Sequence, residues 1–246
     1  ESNTLGAGAK LRRVWPKTQL TFRGATTQTK SSLISRQATG TPDDFQVQED
    51  KVTETTAEFF NLMGALKHTL SKRFFAFGGA DWMRNRFAGI DSRTLIAAGA
   101  GNSWTESEKT TFDTFYSITY TFQTDVVENP FVKSDFPGVQ FGYALDTQLT
   151  ASTRFESDLI ADWNMDNTDD IRLDWFNSLP ISISSKLELK PSLRLLWRNE
   201  PSLTEVPLFD TGGVPTGENV KTPLEKLDSM FTLALVVKLG PSPAAE

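Results

Sequence analysis

The chain has 246 residues, of which 38% are hydrophobic, with a net charge of -6 and no cysteine. It contains no run of about 18 apolar residues, which excludes a transmembrane helix but not a transmembrane β-barrel, whose strands alternate apolar and polar residues. The acidic charge argues against a nucleic-acid partner, which needs a basic patch. The lack of cysteine excludes disulfides and thiolate metal sites.

A two-residue period recurs along the chain and predicts an all-β protein, because successive side chains of a strand point to opposite faces. In segment 186–199, leucines alternate with charged residues. Pro191 lacks a backbone donor, so we expect a bulge there. We predict eleven strands, at about 3–15, 18–30, 52–70, 73–87, 92–104, 109–124, 137–150, 153–165, 169–182, 186–199 and 225–239.

The predicted connections alternate between two kinds. Short turns fall near 15–18, 70–73, 104–109, 150–153 and 182–186, whereas the connections near 31–51, 88–91, 124–136, 165–169 and 200–224 include three long ones. A short-turn end and a long-loop end are typical of outer-membrane barrels. We therefore predict one up-and-down antiparallel transmembrane β-barrel over residues 1–239, followed by a tail at 240–246.

The six tryptophans all fall on the predicted outward faces. Aromatic rings at the two lipid–water boundaries form girdles. The predicted girdle consists of Trp15 and Trp104 at the short-turn end, and Trp82, Trp163, Trp175 and Trp197 farther up the strands. The alternative, the core of a soluble sandwich, would not place charged residues on the opposing faces of eleven strands.

The number of strands predicts a further element. Bacterial barrels have an even number of strands with both termini periplasmic, so we expect about twelve strands, one of them upstream of Glu1. A signal peptide would already have been removed from an exported chain.

The inward faces carry equal numbers of positive and negative residues, so we predict no strong ion selectivity. Strands 1 to 3 contribute only bases and strands 6 to 8 only acids, which leaves two hypotheses. A transverse field in a narrow pore would orient small dipolar or zwitterionic solutes, whereas a closed network of salt bridges would fill the lumen. The predicted lumen-lining charges are Lys10, Arg12, Arg23, Lys67, Asp81, Asp113, Asp146, Glu156, Asp158, Asp162, Arg172, Asp174, Glu188, Lys190, Arg194, Arg198, Asp228 and Lys238.

No catalytic, cofactor or metal site is predicted. A hydrolytic site needs a base beside a serine, and the sole histidine, His68, falls on an outward face near a short turn. The segment from Asp162 resembles the start of a calcium loop, but Asn167 replaces the glycine and Leu173 the glutamate that such a loop requires. A polar loop, with at most a weak attraction for divalent cations, is the better interpretation.

Segment 85–101, NRFAGIDSRTLIAAGAG, resembles the YdiY-type family of salt-induced outer-membrane proteins. The family pattern, Asp/Asn-Arg-Phe-x-Gly-x-Asp-x-Arg followed by a strand with Gly-x-Gly, is matched by Arg86, Phe87, Gly89, Asp91, Arg93, Gly99 and Gly101. The similarity continues through Asp169–Asp170 to Leu227–Asp228 and so covers most of the chain. It implies an outer-membrane β-barrel with an additional N-terminal strand, but no enzymatic activity or ligand.

We expect a bacterial outer-membrane barrel in contact with lipid, with a structural, envelope-stress or narrow-channel role. The alternatives are a lipid-modifying outer-membrane enzyme and a soluble periplasmic ligand-binding β-protein. Because loops on a rigid scaffold tend to carry binding, connections 31–51 and 200–224 are where we expect a protein partner or a plug.

Overall fold

The computed structural model describes residues 2–41, 44–107, 109–129 and 133–238. One antiparallel sheet of twelve strands contains most of them. A separate two-stranded sheet is formed by the chain segment that connects the last two strands of the large sheet. The large sheet consists of β1 (Ser2–Val14), β2 (Thr18–Thr41), β3 (Asp44–Thr69), β4 (Phe74–Asn85), β5 (Ile90–Glu106), β6 (Thr110–Asp125), β7 (Asp135–Gln148), β8 (Arg154–Asn164), β9 (Ile171–Ser178), β10 (Ile181–Ser182), β11 (Leu187–Arg198) and β14 (Leu227–Val237). The small sheet pairs β12 (Leu203–Phe209) with β13 (Pro215–Pro223).

The predicted fold class is confirmed as an all-β, antiparallel, up-and-down arrangement. Strands β9 and β10 pair with β11 in one continuous register and form one interrupted strand. Counted in this way, eleven strands curl into a half-barrel. Side chains meet across its concave face: Lys67 of β3 contacts Asp113 of β6, and the Arg194 guanidinium of β11 lies over the Phe59 ring of β3.

Two predicted long connections have regular structure instead. Region 31–51 continues β2 and β3, which pair from Thr18↔His68 out to Thr41↔Asp44. Region 200–224 contains the β12–β13 hairpin. Polar, turn-rich composition misled the prediction at both places, because a two-stranded ribbon needs no apolar face to form its backbone ladder.

The bulge predicted at Pro191 is wrong. The register between β11 and β14 continues through Pro191↔Leu233 without a shift. The strand on the other side is interrupted instead, at the two residues between β9 and β10, and the Pro191 carbonyl accepts a hydrogen bond from Leu179 N at 3.0 Å. The proline therefore lies where the neighbouring ladder is already broken.

The polarity of the sheet is inverted relative to a soluble protein. In the second half of β6, from Tyr116 to Gln123, the aromatic and aliphatic residues are exposed and the polar residues between them are buried. Exposed Ile118, for example, is flanked by buried Ser117 and Thr119. Among the residues whose burial is described, fourteen buried side chains are polar or charged and four are hydrophobic, so the concave interior is polar and the convex surface apolar.

Strands β1 and β14 are the two edges of the large sheet, and no pairing between them occurs among the described residues. Because every neighbouring pair of strands is antiparallel, these two edges run in the same direction. The predicted strand before Glu1 stays a prediction, and the predicted tail at 240–246 lies outside the described residues. Within those residues, no helix has the length and apolar character needed to cross a membrane.

Candidate functional site

The concave face of the sheet carries most of the charges that the sequence placed inside the barrel. Many of them form ion pairs between strands, so acids and bases neutralise one another over much of this face. The pairs join Lys67 to Asp113 at 2.5 Å, Lys190 to Glu156 at 2.6 Å, Arg194 to Asp174 at 2.5 Å, Arg172 to Asp162 at 3.4 Å, Lys238 to Glu188 at 2.7 Å and Arg154 to Asp146 at 3.7 Å.

The remaining predicted charges have different surroundings. Asp81 accepts a hydrogen bond from Asn61 Nδ2 at 2.7 Å, and Asp228 is exposed on the edge strand β14. Four others have no ion-pair or hydrogen-bond partner within the part of the chain that the structure describes, namely Lys10, Arg12, Arg23 and Asp158. The unpaired cations all lie on β1 and β2.

A buried arginine network occupies the concave face at the loop end of the sheet, where β5, β6, β8, β9 and β11 meet their loops. Its centre is Asp170, whose side chain is 1% exposed and pairs with both Arg172 and Arg198. Arg172 Nη1 also donates to Asp162 Oδ2 at 3.4 Å, and its guanidinium lies over the buried Phe136 ring at 4.6 Å. Two arginines thus share one enclosed carboxylate.

The network continues across the interior to β5. Arg198 Nη1 donates to Ser202 Oγ at 2.9 Å, and Ser202 Oγ donates to Asp125 Oδ1 at 3.2 Å. Asp125 also accepts from Gln123 Nε2 at 2.6 Å, and Gln123 in turn accepts from Arg93 Nε at 2.7 Å. These contacts connect β5 and β6 on one side of the concave face to β11 on the other, through Ser202.

The charge state of Asp170 follows from two opposing effects. Burial alone would raise its pKa, but the positive charges of Arg172 and Arg198 and the hydrogen bonds from Arg172 and Asn164 outweigh burial. The pKa of Asp170 therefore lies below its ordinary value of 3.8. The carboxylate stays ionised at neutral pH and holds the two guanidinium groups in place.

The 85–101 motif forms the corner beside this network. Asn85 Oδ1 accepts a hydrogen bond from Ala88 N at 3.1 Å and caps the 3-10 turn Arg86–Ala88. Arg86 Nε pairs with Asp91 Oδ1 at 2.9 Å across the turn. Gly89 has φ +76°, and a Cβ placed there would lie 2.4 Å from Ser202 Cβ. The motif thus shapes a tight corner against the base of the β12–β13 hairpin.

The segment that contains the β12–β13 hairpin is anchored to the loop end of the sheet. Leu224 N donates to Ser202 O at 2.9 Å at the base of the hairpin. Lys221 Nζ donates to Glu128 O at 2.8 Å, and Asn167 Nδ2 donates to Glu200 Oε2 at 2.5 Å. The connection is therefore bound to two neighbouring loops.

A second feature, which we name the basic groove, lies on the concave face near the short-turn end. Its volume is about 250 Å³. Strands β1 to β3 supply four cations to its lining, of which only Lys67 has an acidic partner. The complete lining is Lys10, Arg12, Gln19, Thr21, Arg23, Met63, Ala65, Leu66, Lys67 and Phe77.

The tryptophans predicted as a girdle lie at different heights on the sheet. Trp15 and Trp104 are near the short turns, whereas the others lie on the upper parts of β4, β8, β9 and β11. Four are exposed, namely Trp15, Trp104, Trp163 and Trp175, and Trp82 and Trp197 are half-buried. Several indole N–H groups are satisfied locally, for example Trp104 Nε1 by Thr114 Oγ1 at 2.8 Å.

The other candidates are placed in polar structural contacts. His68 is exposed near the short-turn end, with Nδ1 2.9 Å from Thr18 Oγ1. In the calcium-like segment, Asn164 Oδ1 accepts from the backbone of Asp166 at 2.9 Å, and Asp166 pairs with Lys133. No group of three or more His, Cys, Asp or Glu suited to a metal ion occurs in the described part of the chain.

Three charged residues of the buried network were absent from the predicted lumen set: Arg93, Asp125 and Asp170. Each continues the inward-facing series of an adjacent strand, as Asp170 does for Arg172 and Asp174. They were missed because they lie at or beyond the ends of the regular alternation. Extending the two-residue period into the loops would have identified them.

Comparisons with known proteins give a family but little else. The sequence matches the family described as "Protein of unknown function, DUF481" over residues 1–210, and no curated protein matches it. Among solved structures, a chain described as "Bacterial polysaccharide outer membrane secretin" aligns with a TM-score of 0.40 and 9% identity, over 80% of this chain and 84% of that one. With the family match extending over most of its length, this chain belongs to the DUF481 family of proteins of unknown function.

Proposed function

We propose that this protein is a β-barrel of the bacterial outer membrane, with a structural role in the envelope and a narrow interior that is closed at its loop end. The observation that carries the proposal is the inverted polarity of the sheet. Phe231, Leu233 and Leu235 of β14 are all more than 60% exposed, while charged residues such as Arg172 are buried on the concave side. Water does not favour such a surface, whereas the hydrocarbon of a bilayer does.

The strand lengths agree with a membrane location. A tilted transmembrane strand needs about 9 to 11 residues. Strands β4 to β8 and β11 are between 11 and 17 residues long. A curled antiparallel ladder also satisfies most backbone donors and acceptors within the sheet, as a bilayer requires.

The tryptophans support the same placement, as two belts at the boundaries between lipid and water. Trp104 and Trp15 would lie in the periplasmic belt, and Trp163, Trp175, Trp82 and Trp197 in the outer one. On this proposal the short turns face the periplasm and the β2–β3 and β12–β13 hairpins project outward, where a protein partner would bind.

The state of the interior decides between a wide pore and a closed barrel. The buried arginine network joins β5 to β11 at the loop end, and the ion pairs of Arg194 and Lys190 occupy the concave face below it. Long arginine and lysine side chains thus take up the space that a porin would leave to water. We infer a barrel with little or no steady conductance.

Refolding into lipid vesicles, followed by electrophysiology in a planar bilayer, tests the proposal. The full chain should insert, resist extraction by alkaline carbonate and migrate differently in gels before and after heating. The wild type should then give rare, small current steps. Failure to insert would overturn the membrane assignment, and frequent large steps would overturn the closed interior.

A variant distinguishes closure by the network from closure elsewhere. Replacing Arg172 and Arg198 together with alanine removes the side chains that reach Asp170 and Ser202. If the network closes the barrel, this variant should conduct far more often than the wild type while keeping its heat-dependent migration. An inserted variant that stays silent would contradict closure at the loop end.

A further inference from the structure

The basic groove differs from the rest of the concave face in the balance of its charges. Lys10 of β1 lies directly opposite Arg23 of β2 in the ladder, and Arg12 is two residues farther along β1. None of these three has an acidic contact among the described residues. Like charges on directly opposed residues destabilise an antiparallel pair. All three side chains are exposed, so water screens part of this repulsion, and a bound anion would remove the rest.

The acids nearest to the groove do not complete it. Asp158 of β8 interacts electrostatically with Arg23 and Lys10 across the concave face, but it contacts neither of them. Glu156 also acts on Lys10, yet its carboxylate is held by Lys190 Nζ at 2.6 Å. The groove therefore keeps a positive excess that no side chain of the described structure neutralises.

The lining of the groove indicates the chemistry of its ligand. Arginine presents a planar fork of donors that matches the oxygens of a phosphate, and lysine adds a mobile positive charge. Thr21 and Gln19 add neutral polar groups, which are bonded to each other at 3.1 Å. Met63 and Phe77 form an apolar side, which lowers the local polarity and strengthens the charge interactions. A volume of about 250 Å³ accommodates a phosphate group or a small phosphomonoester.

We propose that the basic groove binds a small phosphate dianion, either inorganic phosphate or the terminal phosphate of an organic phosphomonoester. Three cations converge where a singly charged carboxylate would neutralise only one of them, whereas a phosphate group carries about 1.5 to 2 negative charges at neutral pH. This inference rests on the proposed barrel, because it needs the concave face to form an enclosed aqueous interior. The groove would act as a site where such solutes are held near the periplasmic end.

Calorimetric titration of the refolded full chain in detergent micelles with inorganic phosphate provides the test. The wild type should bind with one saturable site, and added salt should weaken the binding because the attraction is electrostatic. Arg12→Gln and Arg23→Gln should each reduce the affinity about tenfold, the loss expected for one charged hydrogen-bonding partner. Lys109→Gln, which removes the same charge from an exposed turn outside the groove, should leave the affinity unchanged.

Further titrations identify the ligand and separate this inference from the proposed function. Glycerol phosphate represents soluble phosphomonoesters, and phosphatidic acid in mixed micelles represents a lipid headgroup. Binding of inorganic phosphate and glycerol phosphate, without binding of phosphatidic acid, would identify the ligand as a water-soluble phosphate. Binding of phosphatidic acid alone would overturn the proposal of an enclosed site for solutes. Tighter binding of succinate than of phosphate would overturn the phosphate assignment.

Two outcomes separate the proposals. A chain that inserts into vesicles and shows heat-dependent migration, but gives no saturable phosphate binding, contradicts the groove alone. A chain that fails to insert contradicts the barrel itself. Equal losses of affinity in Arg23→Gln and Lys109→Gln would show nonspecific attraction and would also overturn the site.

Discussion

Cations at the two ends of the concave face have different environments. In the buried arginine network, Arg172 and Arg198 share Asp170, and all three side chains are at most 15% exposed. In the basic groove, Arg12 and Arg23 have no acidic contact among the described residues, and they lie on the edge strand and its neighbour. Enclosed charges must be paired, because desolvation costs several kcal/mol per ion. Charges that still meet water need no partner and stay available to a ligand.

The paired charges of the network therefore stabilise the fold, whereas the unpaired charges of the basic groove are available to bind a ligand. Removing a partner from the network should cost stability, whereas removing a cation from the basic groove should cost binding and even improve stability slightly. Variants at the two places should differ in sign as well as in size.

The largest effect is expected from Asp170→Asn, which leaves two enclosed guanidinium groups without their shared negative charge. We expect a loss of roughly 3 to 5 kcal/mol in the free energy of unfolding. Urea unfolding in vesicles, followed by tryptophan fluorescence, measures it. Asp169→Asn is the matched control, since the exposed Asp169 carboxylate has no hydrogen-bond or ion-pair partner in the described structure. Equal losses in both variants would contradict the role of the network.

Gly89→Ala should follow, with a loss of roughly 2 to 4 kcal/mol from backbone strain and a steric clash. The position has φ +76°, and the added Cβ would lie 2.4 Å from Ser202 Cβ under the hairpin. Gly217→Ala has φ +82° but no atom within 4 Å of its Cβ, so it should lose only about 1 to 2 kcal/mol. The same unfolding measurement on both variants separates the steric clash from the backbone strain. Equal losses of stability in Gly89→Ala and Gly217→Ala would show that the contact with Ser202 contributes nothing.

A smaller effect should appear on acidification. The folded pKa of Asp170 lies below its ordinary value of 3.8, so its contribution is complete above that pH and is lost as the pH falls through the folded pKa. The difference in stability between the wild type and Asp170→Asn should therefore be constant from pH 7 to about 5 and shrink at lower pH. Unfolding midpoints at a series of pH values measure it. A difference in stability that grows on acidification would contradict the lowered pKa of Asp170.

The smallest effect should have the opposite sign. In phosphate-free buffer, Arg23→Gln removes the repulsion with Lys10 and should raise the free energy of unfolding by a few tenths of a kcal/mol, up to about 1. Arg194→Gln is the counterpart in the paired region, because it breaks the 2.5 Å contact with Asp174 and should lower stability. If both variants lower stability equally, the distinction between paired and unpaired regions fails.

Much of the fold could be predicted from the sequence, because alternation reports directly which environment each face of a strand meets. The exposed Ile118 between buried Ser117 and Thr119 follows from the two-residue period alone. The short turns were also located, since turn chemistry is local. The ribbon formed by the ends of β2 and β3 was missed, because backbone pairing between polar segments leaves no periodic signal.

The candidate site was predicted only in part. The inward positions of Arg172 and Arg194 follow from the two-residue period of a strand. Their partners, however, depend on which strands come together and on loop residues such as Asp170. The two-residue period assigns a side chain to one face of the sheet, but it does not give the distance between two charged groups, on which an ion pair depends. For the same reason, the hypotheses of a transverse field and a closed network stayed open: three bases on β1 and β2 are unpaired and most others are paired.

The sequence by itself determined the all-β class and the up-and-down order of the strands, because these depend on local geometry with a period of two. The tertiary structure decided that Asp170 is enclosed by two arginines and that Lys10 lies opposite Arg23 without an acid in contact. Those outcomes depend on the curl of the sheet and the register between strands, and electrostatic energy changes steeply over the few ångströms that these set.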